Sequence, residues 1–195
     1  RSPVGSPPLA KRVTPDDDVA IVVSDKTRPV PTRLILPPLI EELNSAGVED
    51  DKITILVATG LHRPNTEQEL EEMLGKEIVE RLRVVNHDAR DKDSLVYLGK
   101  TSTGTPIWIN RIVHESKFRI LTGYIEPHFF AGFTGGRKAI LPGCAGLETI
   151  MANHGASHIG HPKARYGISR GNPIYEDAVE VAEKVGPEFL VNVTI

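Results

Sequence analysis

Four short apolar runs constrain this chain more than any other feature: Val19–Ser24, Ile53–Thr59, Arg83–His87 and Phe118–Gly123. Each is rich in Val, Ile and Leu and nearly continuous in apolar character, as a strand buried on both faces must be. Helical patterns separate the first three. From about Leu36 to Ala46, Leu36, Leu39, Ile40 and Leu43 make one apolar stripe, and Gly47 can close it in a left-handed cap. The Pro37-Pro38 pair is expected only in that helix's first turn, because proline lacks the donor a helix interior needs. From about Glu67 to Leu82, Leu70, Leu74, Ile78 and Leu82 recur every four residues behind a Thr66/Glu69 capping-box pattern. A last helix, Ile174–Val185, has Asn172 as cap, Pro173 at its first position and Gly186 after it. Leu95–Gly99 and Pro106–Asn110 read as a hairpin turned through Thr101 to Gly104.

Strands alternating with helices imply a parallel sheet covered on both sides. The expectation is an α/β protein: one Rossmann-like three-layer domain over residues 1–195, its sheet mostly parallel, with a small β-hairpin insertion. The chain's 195 residues suffice for one large core, with 39% hydrophobic and 25% charged residues. A net charge of −3 offers no basic footprint for nucleic acid or an anionic membrane. No apolar run approaches a membrane span, and Arg1 to Lys11 lacks the apolar core of a signal peptide. Cys144 is the single cysteine, so no intrachain disulfide can form and a cytoplasmic location is expected. The sequon Asn192-Val193-Thr194 then carries no meaning. The chain opens without Met in a Pro-rich stretch and closes on Phe189–Ile195, which reads as a strand. A fragment of a longer protein is expected, with an active site that a missing domain could share.

Ligands in such folds sit beyond the carboxyl ends of the strands. Three polar loops follow strands directly: Ser24 to Pro29, Thr59 to Pro64, and Glu126-Pro127-His128. They carry His62 and His128, suited to proton transfer near neutrality, and Asp25 and Arg28. Arg can clamp a carboxylate, and Asp can orient a histidine. The bland alternatives are surface-loop histidines and a local ion pair of little energetic value. His87 and His114 lack supporting context. Gly132-Phe133-Thr134-Gly135-Gly136-Arg137-Lys138 brings glycines, Arg and Lys together, which suits an anion or phosphate. It is not a Walker A motif, and a flexible turn with a solvated Lys is the competing reading. His154, His158 and His161 could share a helix face and hold zinc, although Gly155, Gly160 and Pro162 oppose a continuous helix there. Cys144 has no adjacent base and reads as a packed residue.

Together these segments resemble the nickel-dependent lactate racemase family. The resemblance rests on Ser24 to Pro29, on Thr59 to Arg63, and above all on the unbroken Glu126 to Lys138. Asn153-His154 and the opening Gly5 to Leu9 add to it. It covers nearly the whole chain. It implies a nickel-pincer cofactor, a pyridinium mononucleotide with two sulfur arms, joined through a thioamide to Lys138. Gly135, Gly136 and Arg137 would lie along this mononucleotide, and His154 would ligate nickel. His62 and His128 would act as acid and base, and Arg28 would bind the substrate carboxylate beside Asp25. The implied reaction is racemisation or epimerisation of a 2-hydroxy acid, with hydride leaving C2 for the cofactor and returning to the other face. The implied partners are the substrate, a C-terminal domain of the same protein and cofactor-maturation enzymes. Two other readings stand beside it. One is a zinc hydrolase built on His154, His158 and His161; the other is a non-catalytic nucleotide-binding module.

Overall fold

In the computed structural model, which describes residues 2–194, the chain alternates strands and helices as expected. The elements are β1 (Val19–Ser24), α1 (Thr32–Ser45), β2 (Ile53–Ala58), α2 (Glu67–Leu74), α3 (Lys76–Arg81) and β3 (Arg83–Asn86). Then come β4 (Leu95–Lys100), β5 (Pro106–Asn110), α4 (Arg111–Glu115), β6 (Phe118–Tyr124), β7 (Pro127–His128) and β8 (Gly132–Phe133). Last are α5 (Leu147–Asn153), α6 (Ala156–Ile159), α7 (Pro173–Val185) and β9 (Phe189–Val193). The C-terminal apolar run is thus a strand; its final residue, Ile195, lies outside the described residues.

The main sheet has five parallel strands in the order β3-β2-β1-β6-β9. Both faces are buried, which explains the unbroken apolar runs. Along β1, Val19, Ile21 and Val23 face a layer made by α1, α2 and α3. Val22, with Leu56 and Leu121 of the neighbouring strands, faces the opposite layer of hairpin β4–β5, α4, α5 and α7. The hairpin therefore serves as a cover of the second layer. Because β2 and β6 flank β1 on opposite sides, the order in which strands are added reverses at β1/β6. A crevice opens at the carboxyl ends of strands at such a switch point.

Two helical expectations need correction. The first helix starts four residues early, at Thr32, so Pro37 and Pro38 lie in its interior rather than its first turn. The missing donors would have paired with the carbonyls of Arg33 and Leu34. Residues 33, 34, 37 and 38 are all on the exposed face, where water can satisfy those carbonyls. The second helix is broken in two at Gly75, whose φ of 96° ends α2. Leu74, Ile78 and Leu82 stay buried across the break, so the apolar row survives while the helix does not. The Thr66/Glu69 capping box and the Asn172, Pro173 and Gly186 punctuation of α7 form as read.

Candidate functional site

Three strand ends supply most of the site. The loop after β1 carries Asp25 and Arg28, the loop after β2 carries His62, and the segment after β6 carries His128. They meet around a cavity of about 320 Å³, joined by Lys138 and His154. The cavity lies at the β1/β6 switch point, with Ser24 and Gly123 in its wall.

Asp25 and His62 are 37 positions apart in sequence, yet Asp25 Oδ2 and His62 Nδ1 lie 2.6 Å from each other. A carboxylate accepts, so Nδ1 carries the hydrogen, and it is Nε2 that holds the lone pair in the neutral form of the ring. Asp25 is itself buried and fixed, with its Oδ1 accepting from Thr27 Oγ1 at 2.7 Å. An ion-pair staple ties the two loops together. Lys26 and Arg63 both reach Glu69, at 2.5 and 2.6 Å, and Glu69 also accepts from the Thr66 N–H. The Arg63 and Lys26 hydrogen bonds, then that of Thr66, hold the Glu69 carboxyl well below the usual carboxylate range.

His128 stands on β7, a two-residue strand paired with β8 in a small flap. The Thr134 hydroxyl clips this flap by donating to the Tyr124 carbonyl and accepting from the Glu126 N–H. His128 Nδ1 accepts from the Ala131 N–H at 3.3 Å. Its pKa falls to about 4, chiefly through burial, then through Lys138, Arg28, His154 and Arg137. Arg28 meets Glu126 at 3.6 Å, a loose and partly exposed pair.

Lys138 lies within the 3₁₀ turn Gly136–Ala139. Burial, with Arg28 and Arg137 adding repulsion, lowers its pKa to about 8. A substantial fraction is then a neutral amine at physiological pH, whereas an ordinary lysine is almost fully charged. His154 follows the last residue of α5. Burial, then Lys138 and His158, brings its pKa to about 4, so its ring is neutral at pH 7. Its Nδ1 is buried with no hydrogen-bond partner. An imidazole nitrogen held neutral and unpartnered is a ready ligand.

Not every residue of the glycine segment faces the cavity. Gly135 lies in its wall; Gly136 and Arg137 do not. The Gly136 N–H donates to Asn192 Oδ1 at 3.2 Å. Arg137 turns away, donating to the Ala131 and Phe133 carbonyls with its guanidinium 3.5 Å from the Tyr175 ring centre. Gly123 makes this packing possible: a Cβ there would stand 2.7 Å from Asn192 Oδ1 and 3.1 Å from the Gly135 Cα.

The three-histidine zinc reading does not survive. Among the described residues no three His, Cys, Asp or Glu side chains stand close enough to share a metal ion. The chain turns at Gly155 between α5 and α6, and His158 Nδ1 bonds the Asn153 carbonyl. His161 Nδ1 accepts from the Lys163 N–H. His87 is a buried structural residue between the Ala145 carbonyl and Asn110, and Cys144 is fully buried, which raises its thiol pKa. Among the described residues no helix is long and apolar enough to cross a membrane. Sequence reasoning passed over Phe130, whose ring stands edge-on to both His128 and His154, at 4.7 and 5.2 Å. A phenylalanine inside a Phe-Phe pair carries no local signal of that position.

Comparison with known proteins identifies relatives of the whole fold. A family model described as the lactate racemase N-terminal domain matches residues 1–167. A lactate racemase of Lactiplantibacillus plantarum is 42% identical over 194 residues, covering 100% of this chain and 46% of that protein. One of Thermoanaerobacterium thermosaccharolyticum is 39% identical over 194 residues, covering 100% of this chain and 45% of that protein. The apoprotein structure of a lactate racemase from the latter organism superposes with a TM-score of 0.94 at 39% identity, over 99% of this chain and 46% of that one. A Thermotoga maritima protein gives 0.77 at 26% identity, over 90% of this chain and 46% of that one. This chain thus spans about half the length of the curated relatives it matches. With its parallel sheet, its switch-point cavity and these matches, the chain belongs to the lactate racemase family, in the region of that family's N-terminal domain.

Proposed function

We propose that this chain is the N-terminal, cofactor-carrying domain of a 2-hydroxy acid racemase or epimerase, with lactate as the first substrate to test. The observation that carries the reading is the meeting of His62, His128, Lys138 and His154 around one cavity. A partner-free imidazole nitrogen and a partly neutral buried amine fit a metal-bearing group that is tethered to a lysine. Lys138 would be the attachment point of a nickel-pincer mononucleotide, and His154 its protein ligand to nickel. Gly135 would line it, with Gly136 and Arg137 supporting the loop from behind. When bound, this group supplies a hydride acceptor for the substrate C2.

The chain's own residues supply position and proton transfer. Arg28, only loosely paired with Glu126, binds the substrate carboxylate. His62 takes the hydroxyl proton at Nε2, and Asp25 stabilises the imidazolium that forms. His128 exchanges a proton with the mirror-related hydroxyl. To take that proton Nε2 must be free of hydrogen; moving the hydrogen to Nδ1 gives up the long 3.3 Å bond from Ala131 and sets two N–H donors against each other, so the Ala131 N–H must turn aside. A C-terminal domain of the same protein completes the substrate pocket, and maturation enzymes load the cofactor.

The test is the intact mass of the full-length protein from its native cells, beside a Lys138→Ala variant. A mass increase fitting the pyridinium mononucleotide, absent from the variant, supports the reading. An unmodified mass from cells that make the cofactor sinks it.

A further inference from the structure

The family-model match stops at residue 167, and no residue of α7 lines the cavity. Two side chains of this region nevertheless reach the walls that hold the pocket histidines. Asn172, the cap of α7, is fully buried. Its Oδ1 accepts from the N–H groups of Ile174 and Tyr175. Its Nδ2 donates to the Phe130 carbonyl at 2.8 Å and the Ile168 carbonyl at 2.9 Å. One amide thus joins the helix start to the flap that carries His128. Phe130, the residue it grips, is the ring wedged against both His128 and His154.

Asp177 works on the other histidine. It is 1% exposed, and its Oδ2 accepts from Asn153 Nδ2 at 2.8 Å. Its Oδ1 accepts from Thr103 Oγ1 at 2.6 Å. Burial alone would raise its pKa. Hydrogen bonds from Thr101, Thr103, Asn153 and Thr105 outweigh that and keep it lowered, so the carboxylate stays charged. Asn153, itself fully buried, also donates to the Ile174 carbonyl and immediately precedes His154. The end of α5 is thereby pinned to α7.

We infer that Asn172 and Asp177 are positioning residues that act through Phe130 and Asn153 to set the separation and ring orientation of His128 and His154. The effect on catalysis rests on the racemase reading; the effect on geometry does not. The variant that isolates the claim is Asn172→Asp. Asp caps a helix as well as Asn does, so the cap survives while the donor to Phe130 and Ile168 becomes an acceptor facing both carbonyls; measurement at pH 8 keeps the carboxyl ionised. Should it fail to fold, Asn172→Ser replaces it, because its hydroxyl caps without reaching Phe130. At the second site Asp177→Val removes the acceptor for Asn153, and Asp177→Asn restores it.

The first readout is nuclear Overhauser contacts in the metal-free, full-length protein, between the Phe130 ring and the rings of His128 and His154. Asn172→Asp should lose them while keeping the parent's circular dichroism spectrum. In cofactor-loaded enzyme kcat should fall about 10- to 100-fold with KM little changed, as expected for misplaced catalytic groups. Asp177→Val should behave alike, and Asp177→Asn should recover most of the loss. Retained ring contacts, or an unchanged kcat, in folded Asn172→Asp protein overturns the inference. If the full-length parent shows no racemisation, the racemase reading fails and the ring contacts alone decide the positioning role.

Discussion

Asp25→Asn tests the proton-transfer half of the site most sharply. The carboxylate is 5% exposed, bonded to His62 Nδ1 at 2.6 Å and held in place by the Thr27 hydroxyl at 2.7 Å. Asparagine has nearly the same shape, so packing should hold. What changes is the hydrogen-bond sense. If the new amide turns its NH2 toward His62, Nδ1 must accept, and the ring's hydrogen moves to Nε2. The base then presents no lone pair. If the amide turns its oxygen toward His62, the tautomer survives but the imidazolium formed on proton capture loses its counter-charge. A hydrogen bond to a charged group contributes about 1.5–3 kcal/mol, which is about 10- to 150-fold in rate. A wrong tautomer adds to that, as in Ser-His-Asp triads, where the equivalent change lowers kcat about 10⁴-fold. We therefore expect kcat to fall at least 10-fold, about 45-fold at the centre of that range, and further where the tautomer is wrong. KM should change little, because Arg28 rather than Asp25 is the proposed carboxylate ligand. The assay is racemisation of each enantiomer by full-length, cofactor-loaded enzyme, with occupancy matched by intact mass. A folded, fully loaded Asp25→Asn enzyme keeping more than half the parent's kcat would refute the dyad.

Three further outcomes follow from the same geometry. His128 and His154 both titrate near pH 4 in the folded chain against an ordinary 6.5, so the unfolded chain binds more protons between those values. Their contribution to stability is present above pH 6.5 and falls as the pH drops toward 4; urea unfolding of the metal-free protein should show this, with a shallower dependence in a His128→Gln/His154→Gln variant. Lys138, lowered to about 8, should be acylated by pulsed acetic anhydride with a midpoint near that pH in cofactor-free protein, and Arg28→Ala should move the midpoint up. A Cβ at Gly143 would lie 2.4 Å from the Ala139 carbonyl oxygen and 2.8 Å from the Ala58 Cβ. Gly143→Ala should therefore destabilise by about 1–3 kcal/mol in chemical denaturation, and wild-type stability would contradict the packing.

Much of the architecture is written in local pattern. Apolar runs of strand length, the stripe of α1, the Thr66 capping box and the Asn172-Pro173 start of α7 are properties of neighbouring residues. The break at Gly75 and the interior Pro37-Pro38 were not legible, because burial and solvent access decide whether a helix tolerates them. The order β3-β2-β1-β6-β9 is also absent from any window of sequence, since strand neighbours are chosen by the packing of both layers.

The candidate site divides in the same way. Strand-end loops marked His62, His128, Asp25 and Arg28, and a long motif marked Lys138, from residue types alone. Only tertiary structure brought Asp25 onto His62, set Phe130 between two histidines, turned Arg137 away from the cavity and dispersed the three histidines of the imagined zinc site. The physical reason is distance along the chain. Periodicity and capping act over a few residues, so sequence determines them directly. A lowered amine pKa, an orphaned imidazole nitrogen or a buried carboxylate exists only once segments far apart have closed around one another and excluded water.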